Sequence, residues 1–127
     1  MPKRRLPRTI AVVTSHPGKE FRAGEEFMDL IMYFDQTVWC VELLKGLSVC
    51  TTSLTPKEVE EVLKGKVVAY VNQILAGNEP CECPALRKGC LLNVKEGKEA
   101  FCVGRAIVRI GAWLRARNGV LRSVKWK

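Results

Sequence analysis

Three groups of side chains in this 127-residue sequence have types and spacing suited to chemistry. The first is the C-terminal stretch GAWLRARNGVLRSVKWK, where Arg115, Arg117, Arg122, Lys125 and Lys127 alternate with Trp113 and Trp126 and no acid. Guanidinium groups fork onto phosphate oxygens and indole rings stack on exposed bases, so this combination points to nucleic acid. The second group is six cysteines in a chain with one histidine. The third is Ser15-His16, followed by Pro17-Gly18-Lys19.

Cys40 and Cys50 are equidistant from Lys45, so a hairpin closed there sets them opposite each other, within reach of a disulfide. Free thiols packed as small apolar groups are the alternative. Cys81, Cys83, Cys90 and Cys102 fit two more disulfides, a four-cysteine zinc site, or unlinked thiols. Their spacing lacks the paired C-x2-C knuckles of a zinc motif, and Cys81 is too close to Cys83 to pair with it. Ser15 and His16 have no third member to make a triad and read as residues that shape a turn. Gly18 and Lys19 at a helix start suit a phosphate, but without the glycine spacing of a P-loop. Glu20, Glu25, Glu26 and Asp29 read as a solvated helix face. No catalytic constellation emerges; a non-enzymatic protein without a cofactor or metal is expected.

These residues need elements to hold them. TIAVVTS (9–15) is a strand closed by His16-Pro17-Gly18. In KEFRAGEEFMDLIMYF, Phe21, Phe27 or Met28, Ile31 and Phe34 fall near helical spacing. QTVWCVELLKGLSVCTTSL (36–54) reads as two strands joined by a three-residue loop near Leu44-Lys45-Gly46. Thr55, Pro56 and Glu58 form a capping box with proline at the first helical position, and Gly65 ends that helix. KVVAYVNQIL (66–75) is a strand, 80–102 a cysteine-bearing loop, and FCVGRAIVRI another strand. Asn118-Gly119 is a strong hairpin signal that sets Arg117 opposite Val120 and Arg115 opposite Arg122. One hairpin face is then Trp113, Arg115, Arg117, Val120, Arg122, Val124 and Trp126, and the other Ala112, Leu114, Ala116, Leu121 and Ser123. Val103, Ile107, Ile110 and Leu114 also match a helix stopped by Gly119, so both forms stay open for 103–119. The order β-α-β-β-α-β, then β-rich, predicts an α/β (α+β) domain: a mixed sheet with two helices, followed by C-terminal strands.

Charge sharpens the picture. Residues 1–8 carry Lys3, Arg4, Arg5 and Arg8 without an acid; residues 101–127 add Arg105 and Arg109 to the basic tail, also without an acid. With a net charge of +8, the body between them is therefore net acidic. Basic ends on an acidic body suggest a polyanionic partner, nucleic acid before a membrane surface. No apolar run reaches a membrane span, and the basic start makes a poor signal peptide. A cytoplasmic protein is expected: a flexible basic arm over 1–8 and a single domain over 9–127. Asparagine is confined to positions 72, 78, 93 and 118 and glutamine to 36 and 73, a scarcity of labile amides that fits a thermophile, where intracellular disulfides also occur.

VVTSHPGKEFRAGEEF and GLSVCTTSLTPKEVEEVL…AYVNQIL together resemble the THUMP domain, particularly small stand-alone archaeal versions, over roughly residues 9–75. The resemblance implies an α/β domain that binds structured RNA, gripping tRNA while a separate domain or enzyme modifies it. It places an RNA-facing surface near Tyr70, Asn72 and Gln73 and on the basic C-terminal strands. It covers neither the 80–102 segment nor, except loosely, 103–127.

The leading expectation is a non-catalytic RNA-binding domain for tRNA or another folded RNA, assisting an RNA-modifying enzyme. Arg105, Arg109, Arg115, Arg117 and Arg122 would contact phosphates, Trp113 and Trp126 would stack, and Lys3, Arg4 and Arg5 would add an electrostatic arm. The alternatives are a basic protein-interaction or structural domain, and a thiol or zinc protein built on the cysteines at 81–102.

Overall fold

The computed structural model describes residues 9–77, 79–82, 91–94, 98–103 and 106–124. The β-branched run TIAVVT forms β1 (Thr9–Thr14), and the chain turns through Gly18, at φ +92°, into α1 (Glu20–Ile31). Ala23, Phe27 and Ile31 recur every four residues and are fully buried. Burying Phe27 and Ile31 stabilises the fold by about 1.5–3 kcal/mol each. Phe21 and Phe34, expected on the same stripe, are 60% and 61% exposed instead. Phe21 sits two positions before Ala23, on another side of the helix, and Phe34 lies beyond the last turn.

β2 (Trp39–Leu44) and β3 (Leu47–Thr52) form the expected hairpin, but its turn is two residues, Lys45-Gly46, with a register shift between Glu42 and Leu44. The shift absorbs the difference, so Cys40 still faces Cys50. Gly46 is required at φ +75°, where an added Cβ would lie 2.8 Å from the Ser15 carbonyl oxygen. In α2 (Pro56–Leu63) the capping box is complete: Thr55 Oγ1 accepts from Glu58 N–H and the Glu58 carboxylate accepts from Thr55 N–H.

The strand expected over 66–75 divides. Gly65 N–H donates to Leu121 O and Leu121 N–H donates to Lys66 O, so this end of the segment runs along β10 (Val120–Ser123). β4 (Gln73–Gly77) begins only after a bend. The cause is Glu26 on α1, whose carboxylate accepts the N–H groups of Ala69, Tyr70 and Val71 and removes them from any ladder.

Beyond β4, the segment expected as a loop contains β5 (Glu79–Glu82), β6 (Leu91–Val94) and the start of β7 (Lys98–Val103). FCVGRAIVRI is shared between β7 and β8 (Ala106–Arg109) rather than forming one strand. These four make a sheet of order β5-β8-β7-β6, in which Pro80 is tolerated because β5 is an edge strand. β9 (Ala112–Arg117) then pairs with β10 across Asn118-Gly119, both at positive φ, so 112–123 is a hairpin and the helical form is excluded there.

The main sheet has order β10-β9-β4-β1-β3-β2, and every described pairing is antiparallel. An α+β fold with two helices was expected and is present, but its sheet is not mixed. Each helical crossover places its second strand one position away from the first: β3 lies between β1 and β2, and β1 lies between β3 and β4. The result is two split β-α-β units in the ferredoxin-like manner, extended by β9 and β10. One core lies beneath the helices, around Val13, Phe27, Ile31, Cys50, Leu63, Ile74, Leu114 and Leu121. A smaller cluster of Val12, Leu75 and Ile110 lies on the opposite face.

Candidate nucleic-acid interface

The Asn118-Gly119 turn fixes the arginines. Asn118 at φ 53° and Gly119 at φ 77° make the tight turn that matches strand twist, so Arg117 pairs with Val120 and Arg115 with Arg122. Alternation sends Ala112, Leu114 and Leu121 into the helix-side core and leaves Arg115, Arg117 and Arg122 exposed on the opposite face. These three, with Ser123 and Val124, line a concavity of about 350 Å³. Directly opposed like charges cost a few tenths of a kcal/mol or more. Among the described residues no carboxylate pairs with any of the three. An anion in the concavity would relieve that repulsion.

Trp113 and Gln73 hold the arrangement. Leu75 of β4 pairs with Trp113, and Gln73 pairs with Arg115. Trp113 Nε1–H donates to Gln73 Oε1 at 2.8 Å, and an Arg115 guanidinium N–H reaches the same oxygen at 3.4 Å. The Arg115 Cζ lies 5.6 Å from the Trp113 ring centroid, within cation–π range. The half-buried indole packs against the Val12–Leu75–Ile110 cluster. Trp113 therefore anchors Arg115 to the sheet; its ring is less open to a base than the sequence suggests. The inner strands β4, β1 and β3 carry no aromatic residue, so mid-sheet offers no aromatic platform.

The other expected residues are dispersed. Asn72 has an exposed side chain, but it lies opposite Ala116, on the helix side of the sheet and away from the arginines: its N–H donates to Thr14 O and its carbonyl accepts from Ala116 N–H. Tyr70 is half-buried, with Lys19 and Arg22 over its ring. Arg109 occupies a β8 position opposite Glu79 and Ala100. Lys3, Arg4, Arg5, Arg105 and Trp126 lie outside the described residues. The sequence offers Lys19 beside Gly18 but gives no sign of Arg22 or of Tyr70 beside the pair, because only the Glu26-held bend of 69–71 brings Tyr70 to them.

Two acids expected to be solvated have structural work. Glu20 accepts from the N–H of Gly46 at 2.5 Å and of Gly18 at 2.6 Å, and these bonds, Gly46 first, lower its pKa. The Gly18 amide is thereby occupied and is not free to bind phosphate. Glu26 is committed to the 69–71 amides. Near the start of α1, Glu20 and Glu26 are engaged with backbone while Lys19 and Arg22 are left exposed.

Cys40 and Cys50 form a disulfide with Cα atoms 4.0 Å apart. Cys81 and Cys102 both pair with Ile107, from opposite sides of β8. They are thus two strand spacings apart, about 9–10 Å, too far for a disulfide between them. Cys83 and Cys90 lie outside the described residues. Ser15 Oγ–H donates to the His16 carbonyl at 3.0 Å, an arrangement of the backbone turn rather than of a nucleophile and base. Among the described residues no three His, Cys, Asp or Glu gather as a metal site, and no helix is long and apolar enough to cross a membrane.

No family model matches the chain, and no curated protein matches it.

Proposed function

We propose that the chain is a non-catalytic RNA-binding domain that grips tRNA or another folded RNA through the β9–β10 arginine face. The observation that carries this reading is the concavity lined by Arg115, Arg117 and Arg122, three exposed guanidinium groups without a carboxylate partner among the described residues. Guanidinium forks match phosphate oxygens, and Arg115 is pre-positioned by Trp113 and Gln73, which lowers the entropy lost on binding. The THUMP-like wording of residues 9–75 supports RNA over DNA and a role in presenting RNA to a separate modifying enzyme.

The test is binding of labelled tRNA and of duplex DNA across a salt series, for wild type and R115A/R117A/R122A. Every phosphate that a variant no longer neutralises on a duplex lowers the salt slope by about 0.9. The triple variant should therefore bind tRNA with a slope shallower by about two to three units, and wild type should bind DNA more weakly. Equal, weak binding of both nucleic acids, unchanged in the variant, would refute the reading.

A second reading, a protein-interaction domain, is favoured by one observation: Met32, Tyr33 and Phe34 are 46%, 89% and 61% exposed, far more than the α1 residues just before them. On the RNA reading this surface is where an RNA-modifying enzyme would dock.

A further inference from the structure

All neighbouring strands of the main sheet are antiparallel, so the end of β1, the β2–β3 turn, the start of β4 and the β9–β10 turn lie along one end of the sheet. α1 begins at this same end. Here Lys19 Nζ and Arg22 Cζ each lie 5.8 Å from the centroid of the Tyr70 ring. Both cations are exposed, and neither forms an ion pair among the described residues. The carboxylates of Glu20 and Glu26 are directed onto backbone amides, those of Gly18 and Gly46 and those of Ala69, Tyr70 and Val71, rather than onto the two cations, and the exposed Glu25, three residues after Arg22, makes no ion pair with it. The cation–π contacts restrict two long side chains without consuming their charge, so less freedom is lost when an anion binds. The backbone of Asn72 links this cluster to the arginine strand, two residues from Tyr70 and hydrogen-bonded through its carbonyl to Ala116, between Arg115 and Arg117.

We propose that Lys19 and Arg22, held over Tyr70, form a second phosphate-binding point, so that one RNA strand is gripped both there and at the arginine face. The inference rests on the RNA reading above and extends it: the binding surface continues around the end of the sheet onto the start of α1, and Tyr70 acts as a positioning residue for the two cations.

The probe is a single-stranded RNA of about 12 nucleotides, within the footprint range of small single-strand-binding domains. Its affinity is measured across a salt series for wild type, K19A/R22A, Y70A, Y70F and R115A/R117A/R122A, each checked for folding by thermal melting. K19A/R22A should reduce the salt slope by about 0.7 for each phosphate released, one to two in number. Y70F should keep the wild-type slope, and Y70A should lose part of it. An unchanged slope in K19A/R22A, with a clear loss in the arginine variant, would overturn the second point and leave the RNA reading standing. Labelled tRNA is titrated alongside, and tRNA binding unaffected by the arginine variant would instead overturn the RNA reading itself.

Discussion

Asp35 offers the sharpest test of how this fold is held together. It lies just beyond α1 and is only 5% exposed, yet it carries a carboxylate. One oxygen accepts from the N–H and Oγ1–H of Thr37; the other accepts from Thr52 Oγ1–H at 2.6 Å and Ser53 N–H at 2.8 Å. The C-terminal end of α1 is thereby tied to the β3–α2 junction. Burial by itself would raise the pKa of this carboxyl, but the bonds from Thr37, Thr52 and Ser53 outweigh it and hold the group well below the usual carboxylate range. In Asp35→Ala, exposed Thr37 turns to water, whereas fully buried Thr52 and the adjoining Ser53 amide lose their acceptor. At about 1–3 kcal/mol for each stranded donor, the loss is about 3–4 kcal/mol at neutral pH. The sign with pH follows from linkage. A depressed carboxyl contributes its full stability above the unfolded pKa of about 3.9 and loses it as pH falls below that value toward the folded one. Urea unfolding of wild type and Asp35→Asn from pH 7 to pH 2 reads this directly: the gap should be widest at pH 7 and shrink below about pH 4. A gap that stays constant across the range, or an Asp35→Ala loss under about 1 kcal/mol, would refute the reasoning.

Two further predictions concern the hairpin that flanks α1. Because Cys40 and Cys50 close a short loop, with a sequence separation of 10, C40A/C50A should lower stability by about 2.5 kcal/mol in the chain-entropy account, read as a shift in the urea midpoint. Dithiothreitol should shift wild type the same way and leave the variant unmoved. Gly46→Ala combines a disfavoured positive φ with a Cβ placed 2.8 Å from Ser15 O; a loss of at least about 1 kcal/mol is expected in the same assay. A neutral Gly46→Ala would mean the turn relaxes away from Ser15.

Much of this protein is written locally. The Thr55–Glu58 capping box, the Cys40–Cys50 pairing and the Asn118-Gly119 hairpin each depend on residues at most ten or so positions apart; the box forms as the sequence predicts, and in the other two the structure takes one of the two forms the sequence left open. The arginine face was legible for the same reason: in a two-residue hairpin, turn position and strict alternation together decide which side chains share a side. Local pattern failed where a distant group intervened. Nothing in KVVAYVNQIL signals that Glu26, more than forty residues earlier, takes three of its amides and divides the strand. The antiparallel character of the sheet was equally hidden, since β-α-β order does not say whether the crossover lands beside its first strand or one place beyond. Sequence alone determined the α2 cap and the placing of the Asn118-Gly119 turn, because short-range sterics suffice for them, while the choice of hairpin over helix for 112–123 came from pairing with β4. Only the tertiary structure decided that Trp113 anchors Arg115 through Gln73, and that Lys19 and Arg22 meet Tyr70 while Glu20 and Glu26 are held on backbone amides. Those contacts join residues roughly 40–50 positions apart, and their partners are chosen by packing and by the need to satisfy buried backbone amides.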